Sequence, residues 1–558
     1  MELTRRMVKY RIAELLRGAV QQAQEKGLLH STTIPEIAME RPQLAEHGDY
    51  ACSLPLKLAR GAGTPPLPLA EAIVDLIPPA PEVERAWAAP PGFINFSLSP
   101  AWLAGQVEAI IGQEEDFGTI HLGGGSRLQI EFVSVNPTGP LHIGHGRGAV
   151  LGSTLARVLA ASGHEVATEY YINDAGTQIE TFHRSLFARY QQALGREAQV
   201  PEDGYVGDYL LDLGRELARE YGDRFLLMPP DEAVPELGRM GMERMLAQIR
   251  ADLELLGVTF GRWFSEGDLY RDGQYQKAMQ LLRQGGFVEE REGAHWFTST
   301  ALGESKDNVL VRSTGAPTYF ATDIAYHYNK FVERGFPRVI NIWGADHQGH
   351  ISRMKVAASA MGVDPARLTI IISQMVTLRR GEEAVRISKR SGDIITLREV
   401  VDDVGPDVCR FFFLTRSPDA QMDFDLELAK KHSDENPVYY IQYAHTRMSG
   451  IVRHAVEKGR GLEGGDVGLL THEAEQALIR KLLLLPEVVE LVTATLEPHH
   501  LPRYSLELAA AFHDFYTRCR VVSKDKALTG ARLKLVKASQ IVLARALSLM
   551  GVTAPERM

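Results

Sequence analysis

The sequence predicts an α/β protein. A parallel sheet carries a helical insertion and lies between an N-terminal α+β domain and a C-terminal all-α helical bundle. Two strand–loop–helix–strand patterns predict the sheet, at residues 128–172 and 338–376. Mostly helical patterns fill the insertion, at about 178–316. From residue 436 to the end the apolar residues recur at helical spacing, which indicates the bundle.

The composition is that of an ordinary globular protein with several domains. The chain has 558 residues, whereas single cores stop growing at roughly 250 to 300 residues. Hydrophobic residues make up 45% and charged residues 24%, which is typical of such proteins. No run approaches the ~18 apolar residues of a membrane span, and the N-terminus resembles an amphipathic helix rather than a signal peptide. We therefore expect a cytoplasmic protein without membrane contact, by default a monomer.

The cysteines and the net charge exclude few further classes of protein. The three cysteines, Cys52, Cys409 and Cys519, lack CxxC spacing, which argues against a disulfide frame and a structural zinc site. The net charge of −10 does not predict a nucleic-acid binder. The overall sign is nevertheless a poor guide, because RNA binding depends on where the positive residues lie.

The first unit of the chain is predicted at residues 1–117. It opens with a helix and closes with the strand-like segment PGFINFSLS at residues 91–99. The run Gly123-Gly124-Gly125-Ser126 then indicates a hinge into the next domain.

The turn after the first predicted sheet strand has the features of a phosphate site. The strand is predicted at residues 128–135, and the prolines of the following NPTGP prevent a helix before His142. Gly144 leaves no Cβ near a ligand, and the unpaired N–H groups of a first helical turn attract an anion. His142 and His145 fall on one face of that turn. Taken alone, a glycine-rich turn is weak evidence, and a His-x-x-His pair is as often a metal half-site or a surface pair.

The second half of the sheet should face the same crevice. Ligands of doubly wound sheets bind beyond the carboxyl ends of the strands, so the loop GADHQGH at residues 344–350 should lie near the histidine turn. The basic run RISKR at residues 386–390 follows the last strand. Ammonium and guanidinium groups can stabilise the charge that develops on a pyrophosphate leaving group.

Both signatures resemble those of one family. PLHIGH, preceded by EFVSVNPTGP and followed by GRG, is similar to the HIGH signature of class I aminoacyl-tRNA synthetases in its arginyl-tRNA synthetase form. RISKR resembles the KMSKS loop, with Lys389 at the second lysine of the motif and Arg386 in place of the first. The resemblance runs from about residue 1 to the last residue, and the insertion is its least diagnostic part.

The resemblance implies a domain order and a reaction. The domains would be a tRNA-binding domain at 1–117, a Rossmann-type catalytic domain at 118–380, the KMSKS-like loop with a connecting region at 381–435, and an anticodon-binding bundle at 436–558. The reaction would join L-arginine to tRNA(Arg) through arginyl-adenylate. It would consume ATP with Mg²⁺ and release AMP and pyrophosphate. In this family adenylate formation awaits tRNA.

The resemblance also implies the site residues. Those of catalysis would be His142, His145, Ser388 and Lys389. ATP would contact these four and Gly144, Gly344, Asp346 and Arg386. Arginine would contact Glu131, Ser134, Asn136, His145, Tyr319, Asp323 and His347.

Two acidic residues favour arginine as the amino-acid substrate. A guanidinium is held best by carboxylates in fixed geometry. Glu131 stands inside an apolar strand, where a charge is costly unless it is paired, and a bound guanidinium would pair it. Asp323 lies in PTYFATDIAYH. The alternative is that Asp323 caps a helix and that Tyr319 and Tyr326 are core aromatics, which is the preferred interpretation for Tyr326.

Aromatic and basic residues mark the bundle as the RNA-binding part. Tyr440 and Tyr443 lie three residues apart with Arg447 one turn further, and residues 503–545, including Arg518 and Arg520, are rich in basic side chains. Most aromatic pairs at this spacing belong to a core, but such a set can also stack unpaired bases.

Three other functions remain open. A catalytically silent tRNA-binding paralogue should have lost His142, His145 or Lys389. A class I synthetase for another amino acid would not need both Glu131 and Asp323. A small-molecule nucleotidyltransferase would leave the N-terminal unit and the bundle without a purpose.

Overall fold

The computed structural model describes residues 7–29, 33–381, 383–384 and 395–558. The N-terminal unit is a three-stranded antiparallel sheet, of order β1-β3-β2, packed against helices. Its elements are α1 (Val8–Glu25), β1 (Tyr50–Cys52), α2 (Leu54–Ala62), α3 (Pro66–Val74), β2 (Val83–Ala89), β3 (Phe93–Leu98) and α4 (Pro100–Gln113).

A five-stranded parallel sheet forms the centre of the molecule, in the order β11-β10-β4-β5-β6. Its strands and the helices between them are β4 (Arg127–Glu131), α5 (Ile143–Ala161), β5 (Glu165–Ile172), β6 (Arg262–Ser265), α11 (Tyr319–Tyr328), β10 (Val339–Gly344), α12 (Ile351–Ala360) and β11 (Leu368–Ser373). The two predicted halves are therefore adjacent, since Asn341 of β10 pairs with Glu131 of β4.

The segment between the halves is more than a set of helices. Three helices come first, α6 (Thr177–Ala193), α7 (Asp208–Tyr221) and α8 (Pro230–Leu255). After β6 follow α9 (Glu266–Arg271), α10 (Gln274–Gln284) and a small antiparallel sheet of β7 (Val288–Arg291), β8 (Ala294–Phe297) and β9 (Asn308–Val311). The sequence analysis missed β6, a four-residue strand that extends the central sheet beside β5.

The first strand is shorter than predicted. The apolar run continues to Val135, but β4 ends at Glu131, where its pairing with β5 ends at Glu169. Val133 and Ser134 then adopt positive φ values of 70° and 45°. Such values are unfavourable for a β-branched side chain, so local propensity did not reveal this turn.

The chain after β11 forms a second small sheet, of order β13-β12-β14, in which β12 and β14 are parallel. Its elements and the short helices around it are β12 (Val376–Arg380), β13 (Glu383–Ala384), α13 (Leu397–Val404), α14 (Pro406–Leu414), β14 (Met422–Asp425) and α15 (Leu426–Ala429). The C-terminal part is helical, with α16 (Pro437–Glu457), α17 (Glu473–Leu482), α18 (Leu485–Thr495), α19 (His500–Arg518) and α20 (Lys526–Met550).

One buried apolar cluster connects α1, the α5 side of the sheet and the bundle. Ion pairs join the N-terminal unit to the bundle as well, such as Arg41 with Glu487 at 2.7 Å and Asp49 with Arg480 at 2.7 Å. None of the helices within the described residues is long and apolar enough to span a membrane.

Candidate active site

The two signature histidines shape the first turn of α5. His142 is the N-cap residue, and its Nδ1 accepts a hydrogen bond from the Gly144 N–H at 3.1 Å. Nδ1 of His145 accepts from the His142 N–H at 3.2 Å, and the two rings stack with centroids 3.4 Å apart. A neutral imidazole that accepts at Nδ1 carries its proton on Nε2. Each ring, when neutral, therefore has its N–H at Nε2.

The histidine turn is bonded to the chain just beyond the second signature. The Leu397 N–H donates to the Leu141 carbonyl at 2.7 Å, and His142 forms an isolated antiparallel bridge with Thr396. Thr396 and Glu399 form a capping box that begins α13 at this point. The predicted residues Arg386, Ser388 and Lys389 lie outside the described residues.

The loop after β10 lies at the carboxyl end of the central sheet. β10 ends at Gly344, next to β4, and a 3₁₀ helix follows at Ala345–His350. The side chain of Asp346 is 81% exposed and that of His347 is 53% exposed. Asp346, predicted for ATP, and His347, predicted for arginine, are therefore both accessible to a ligand at the strand ends.

Glu131, Glu266 and Asp323 form an acid cluster beside this edge. Asp323 lies within α11, and burial raises the pKa of its carboxyl to about 7, with the charges of Glu131 and Glu266 adding to the increase. Arg353 and Lys330 lower it in part. Burial also raises the pKa of Glu266 to about 7. The cluster gains stability either by holding protons or by binding a cation.

Lys330 corrects the explanation that the sequence analysis gave for Glu131. Its fully buried ammonium donates to Glu131 Oε2 at 2.5 Å and to Asn341 Oδ1 at 2.9 Å. An internal cation therefore already pairs the buried carboxylate, and no bound guanidinium is needed to explain it. Lys330 is 199 residues away in the chain, so only the fold brings the pair together.

Glu266 was missed because its position depends on β6. It is the first residue of α9, directly after that strand, and the Tyr171 hydroxyl donates to its Oε2 at 2.9 Å. A strand prediction for the short segment Arg262–Ser265 would have placed this carboxylate at the ligand edge of the sheet.

A buried hydrogen-bond network fixes α11 behind the cluster. His327 bonds the Asp323 carbonyl through Nδ1 at 2.7 Å and Asn341 Nδ2 through Nε2 at 2.8 Å. Nδ1 must therefore carry the proton, and burial lowers the pKa of this ring to about 3. Tyr326 is 2% exposed and donates to Glu169 Oε1 at 2.5 Å. It is a core residue, as preferred from the sequence.

The structure contradicts the alternative interpretations, in which Tyr319 is a core aromatic and Asp323 caps a helix. Tyr319 is 50% exposed, so it is not a core aromatic. The side chain that caps α11 belongs to Thr318, which accepts from the Ala321 N–H at 3.4 Å, whereas Asp323 lies inside the helix. Both side chains lie on one helical face, four residues apart.

Ser134 and Asn136 occupy the loop between β4 and α5. Ser134 Oγ accepts from the Tyr171 N–H at 3.1 Å, next to the hydrogen bond that holds Glu266. The Asn136 amide donates to Gln178 of α6. The loop therefore connects the acid cluster to the first helix of the insertion.

Comparison with known proteins assigns the chain to a family. Residues 10–98 match the family described as arginyl tRNA synthetase N terminal domain, residues 106–407 the class I (R) tRNA synthetase catalytic domain, and residues 441–558 the DALR anticodon binding domain. The arginine–tRNA ligase of Dehalococcoides mccartyi (strain CBDB1) is 57% identical over 551 residues, which are 99% of each chain. The chain belongs to the arginyl-tRNA synthetases. The family and the fold class expected from the sequence are thereby confirmed.

Solved arginyl-tRNA synthetases share the architecture. The structure from Campylobacter jejuni is 35% identical with a TM-score of 0.76, and the match covers 83% of this chain and all of the other. The Thermus thermophilus structure has a TM-score of 0.77 at 24% identity, covers 99% of this chain and all of its own, and shows the common fold.

The predicted RNA-binding residues of this arginyl-tRNA synthetase lie on α16 and around the end of α19. Tyr443 is 39% exposed, and Arg447 Nη1 donates to its hydroxyl at 3.1 Å. The Tyr440 ring packs against His513 at 5.0 Å and is half-buried. Arg518 pairs with Glu473 at 3.0 Å and with Asp514, while Arg520 Nε donates to the Val522 carbonyl at 3.1 Å. We call these five predicted residues the bundle face.

Proposed function

We propose that the protein is an arginine–tRNA ligase, which uses ATP to form arginyl-adenylate and then transfers the arginyl group to tRNA(Arg). The acid cluster next to the histidine turn is the observation that carries this proposal. Three carboxylates beside two cations, Lys330 and Arg353, still leave an excess of negative charge where a substrate side chain would enter. A site for an apolar or anionic amino acid would not tolerate that excess.

Arginine would lie with its guanidinium at Asp323, which supplies the ionic partner, and at Glu266, while Tyr319 covers the planar group. Glu131 pairs with Lys330 and contributes to the negative potential. Carboxylates can accept the guanidinium fork bidentately, whereas a lysine ammonium would fill fewer of the acceptor sites. His347 and the loop residues Ser134 and Asn136 lie nearer the amino-acid backbone in this arrangement.

ATP would lie across the amino end of α5, with Gly344 and Asp346 on its nucleoside side. A carboxylate oxygen of arginine bonds to the α-phosphorus while the bond to the β-phosphate oxygen breaks, so pyrophosphate leaves with the added charge. The Nε2 protons of His142 and His145 stabilise that charge, and Ser388, Lys389 and Arg386 are proposed to do so from the other side.

Mg²⁺ would be bound chiefly by the phosphates of ATP. The exposed oxygen ligand of Asp346 at the carboxyl end of β10 fits a hard cation of this kind. When bound, the ion neutralises charge on the leaving pyrophosphate.

The second step transfers the arginyl group to RNA. A hydroxyl of the terminal ribose of tRNA bonds to the carbonyl carbon of the adenylate, and AMP leaves. Positioning rather than a protein nucleophile supplies the rate. The bundle face would contact unpaired bases.

The domain limits of the proposal follow the sequence. Residues 1–117 and 436–558 would bind tRNA, residues 118–380 would catalyse, and residues 381–435 would carry the KMSKS-like loop. The enzyme would work as a cytoplasmic monomer.

Charging of tRNA with labelled amino acids tests the proposal. All twenty amino acids compete in the presence of ATP, Mg²⁺ and total tRNA, and the product is identified after hydrolysis. Arginine attached to tRNA(Arg) is the expected product. Another attached amino acid, or none, contradicts the proposal.

A further inference from the structure

Arg147 lies in the second turn of α5, two residues after His145, and is fully buried. Its guanidinium donates to three main-chain carbonyls. Nη1 reaches the Gln374 carbonyl at 2.9 Å and the Ala420 carbonyl at 2.8 Å, and Nη2 reaches the Ser417 carbonyl at 2.8 Å. These hydrogen-bond partners are neutral carbonyls rather than carboxylates.

The three carbonyls stand where the second small sheet begins. Gln374 precedes β12 by two residues, and Ala420 precedes β14 by two residues. The Gln374 N–H also donates to the Pro418 carbonyl at 3.0 Å, and Val376 pairs with Met422 as the strands begin. One side chain of α5 thus bonds the starts of both parallel strands of this sheet.

Burying the Arg147 guanidinium costs free energy. A requirement to hold the sheet in one position would explain why this side chain is present. Burial lowers the pKa of Arg147 to about 10, so the site disfavours the charge that the side chain carries. An apolar side chain would fill the same space without that cost. The planar fork of a guanidinium, however, bonds several acceptors in one fixed geometry, which a methionine or leucine does not.

The chain returns to the histidine turn beyond the second signature, where α13 begins. Thr396 and Leu397 are bonded to His142 and Leu141. Arg147 therefore makes the attachment before residues 382–394, and the histidine turn makes the attachment after them. Both attachments lead back to the first two turns of α5.

We propose that Arg147 is a positioning residue for adenylate formation, which fixes the sheet of β12 and β14 against the turn that carries His142 and His145. The inference rests on the proposed function. Arg147 contacts no reacting atom in this proposal and acts through the relative position of two phosphate-binding elements. A misplacement of about 1 Å between such elements can lower a rate ~100-fold.

Arg410, which lies on α14, offers a matched control that also contacts α5. It is 1% exposed and donates to the Met550 carbonyl at 2.7 Å, the Leu256 carbonyl at 2.9 Å and Ser153 Oγ at 2.9 Å. Nη2 also reaches Thr154 Oγ1 at 3.4 Å, so Arg410 resembles Arg147 in burial and in bonding several uncharged acceptors. Its partners are the ends of α20 and α8 and the third turn of α5, not the second small sheet.

The test compares Arg147→Met and Arg147→Lys with Arg410→Met and Arg410→Lys in the full-length protein. Calorimetry gives the unfolding temperatures, and ATP–pyrophosphate exchange with tRNA(Arg) present gives kcat and KM at a temperature where each variant is folded. We expect both methionine variants to unfold earlier. We expect kcat to fall at least ~10-fold in Arg147→Met alone, with the KM for arginine within about twofold of wild type.

The lysine variants keep the test decisive if a methionine variant does not fold. Arg147→Lys should recover part of kcat relative to Arg147→Met, and its kcat should remain below that of Arg410→Lys. Equal kcat losses at the two positions, or a normal kcat in the Arg147 variants, overturn the inference. Wild-type protein that does not charge tRNA overturns the proposed function instead, so the two failures are distinguishable.

Discussion

The charged groups of the acid cluster are buried, whereas those of the bundle face lie at or near the surface. In the cluster, Asp323 and Glu266 are held where burial raises their pKa values to about 7, and Glu131 is paired with a fully buried lysine. On the bundle face, the guanidinium of Arg518 forms its ion pairs at the surface, with 41% of its side chain exposed.

Because of this difference, the two regions can distinguish their ligands in different ways. Buried carboxylates in a low-dielectric setting discriminate strongly by charge, because an unpaired charge there is expensive. Surface arginines and a half-exposed tyrosine gain little from any one contact and recognise a partner by the arrangement of several. Under the proposed function, amino-acid choice would therefore belong to the cluster, and orientation of the RNA to the bundle face.

The largest effect is expected from Lys330→Met. The variant leaves Glu131 buried without its cation, so the free energy of unfolding should fall by about 3–5 kcal/mol in urea denaturation. Arg518→Met removes solvent-screened surface pairs and should change the free energy of unfolding far less than Lys330→Met does. A double variant, Glu131→Gln with Lys330→Met, should recover much of the loss. Equal costs for Lys330→Met and Arg518→Met would remove the contrast between the regions.

Asp323→Ala should abolish measurable arginine binding while ATP binding persists. A bidentate guanidinium–carboxylate pair in a buried site accounts for a loss of at least ~100-fold. Calorimetric titration with each substrate measures both affinities, and Asp346→Ala at the nucleotide side is the control that should leave arginine affinity intact. Unchanged arginine affinity in Asp323→Ala would remove the assignment of the cluster.

Arginine affinity should depend on pH near neutrality. Binding needs the carboxylate of Asp323, whose pKa is about 7, so the affinity should fall by up to ~10-fold for each unit below pH 7. The same shift should make the unliganded protein lose stability as the pH rises from about 4 through 7, because the folded state keeps protons that the unfolded state releases. Asp323→Asn should reduce both slopes, and the stability slope that remains would come from Glu266, whose pKa is also about 7. Identical slopes in wild type and variant would contradict this account.

The smallest effect is expected at the bundle face. Tyr443→Ala should weaken tRNA binding by about fivefold, which corresponds to the loss of one stacked base, and should leave arginine binding unchanged. Tyr443→Phe keeps the ring and should bind tRNA normally. Filter binding at fixed salt measures both variants. If Tyr443→Phe lost as much tRNA affinity as Tyr443→Ala, the hydroxyl contact to Arg447 rather than base stacking would explain the effect.

Local sequence patterns predicted much of this fold. The features that they missed depend on contacts between segments that are distant in the chain. The strand at Glu165–Ile172 and the helix around the histidine turn follow from periodicity and from glycine and proline positions. The partner of Glu131 does not, because Lys330 reaches it across 199 residues. Glu266 was missed because its strand has four residues and gains its place by pairing with β5.

The relative binding of arginine and citrulline tests the central claim most directly. Citrulline has nearly the shape of arginine, but a neutral urea replaces the guanidinium. With the wild-type protein at pH 8, calorimetric titration should show arginine binding at least ~100-fold more tightly than citrulline, because only the cation compensates the carboxylates. Equal affinities for the two would show that the acid cluster does not hold the substrate side chain.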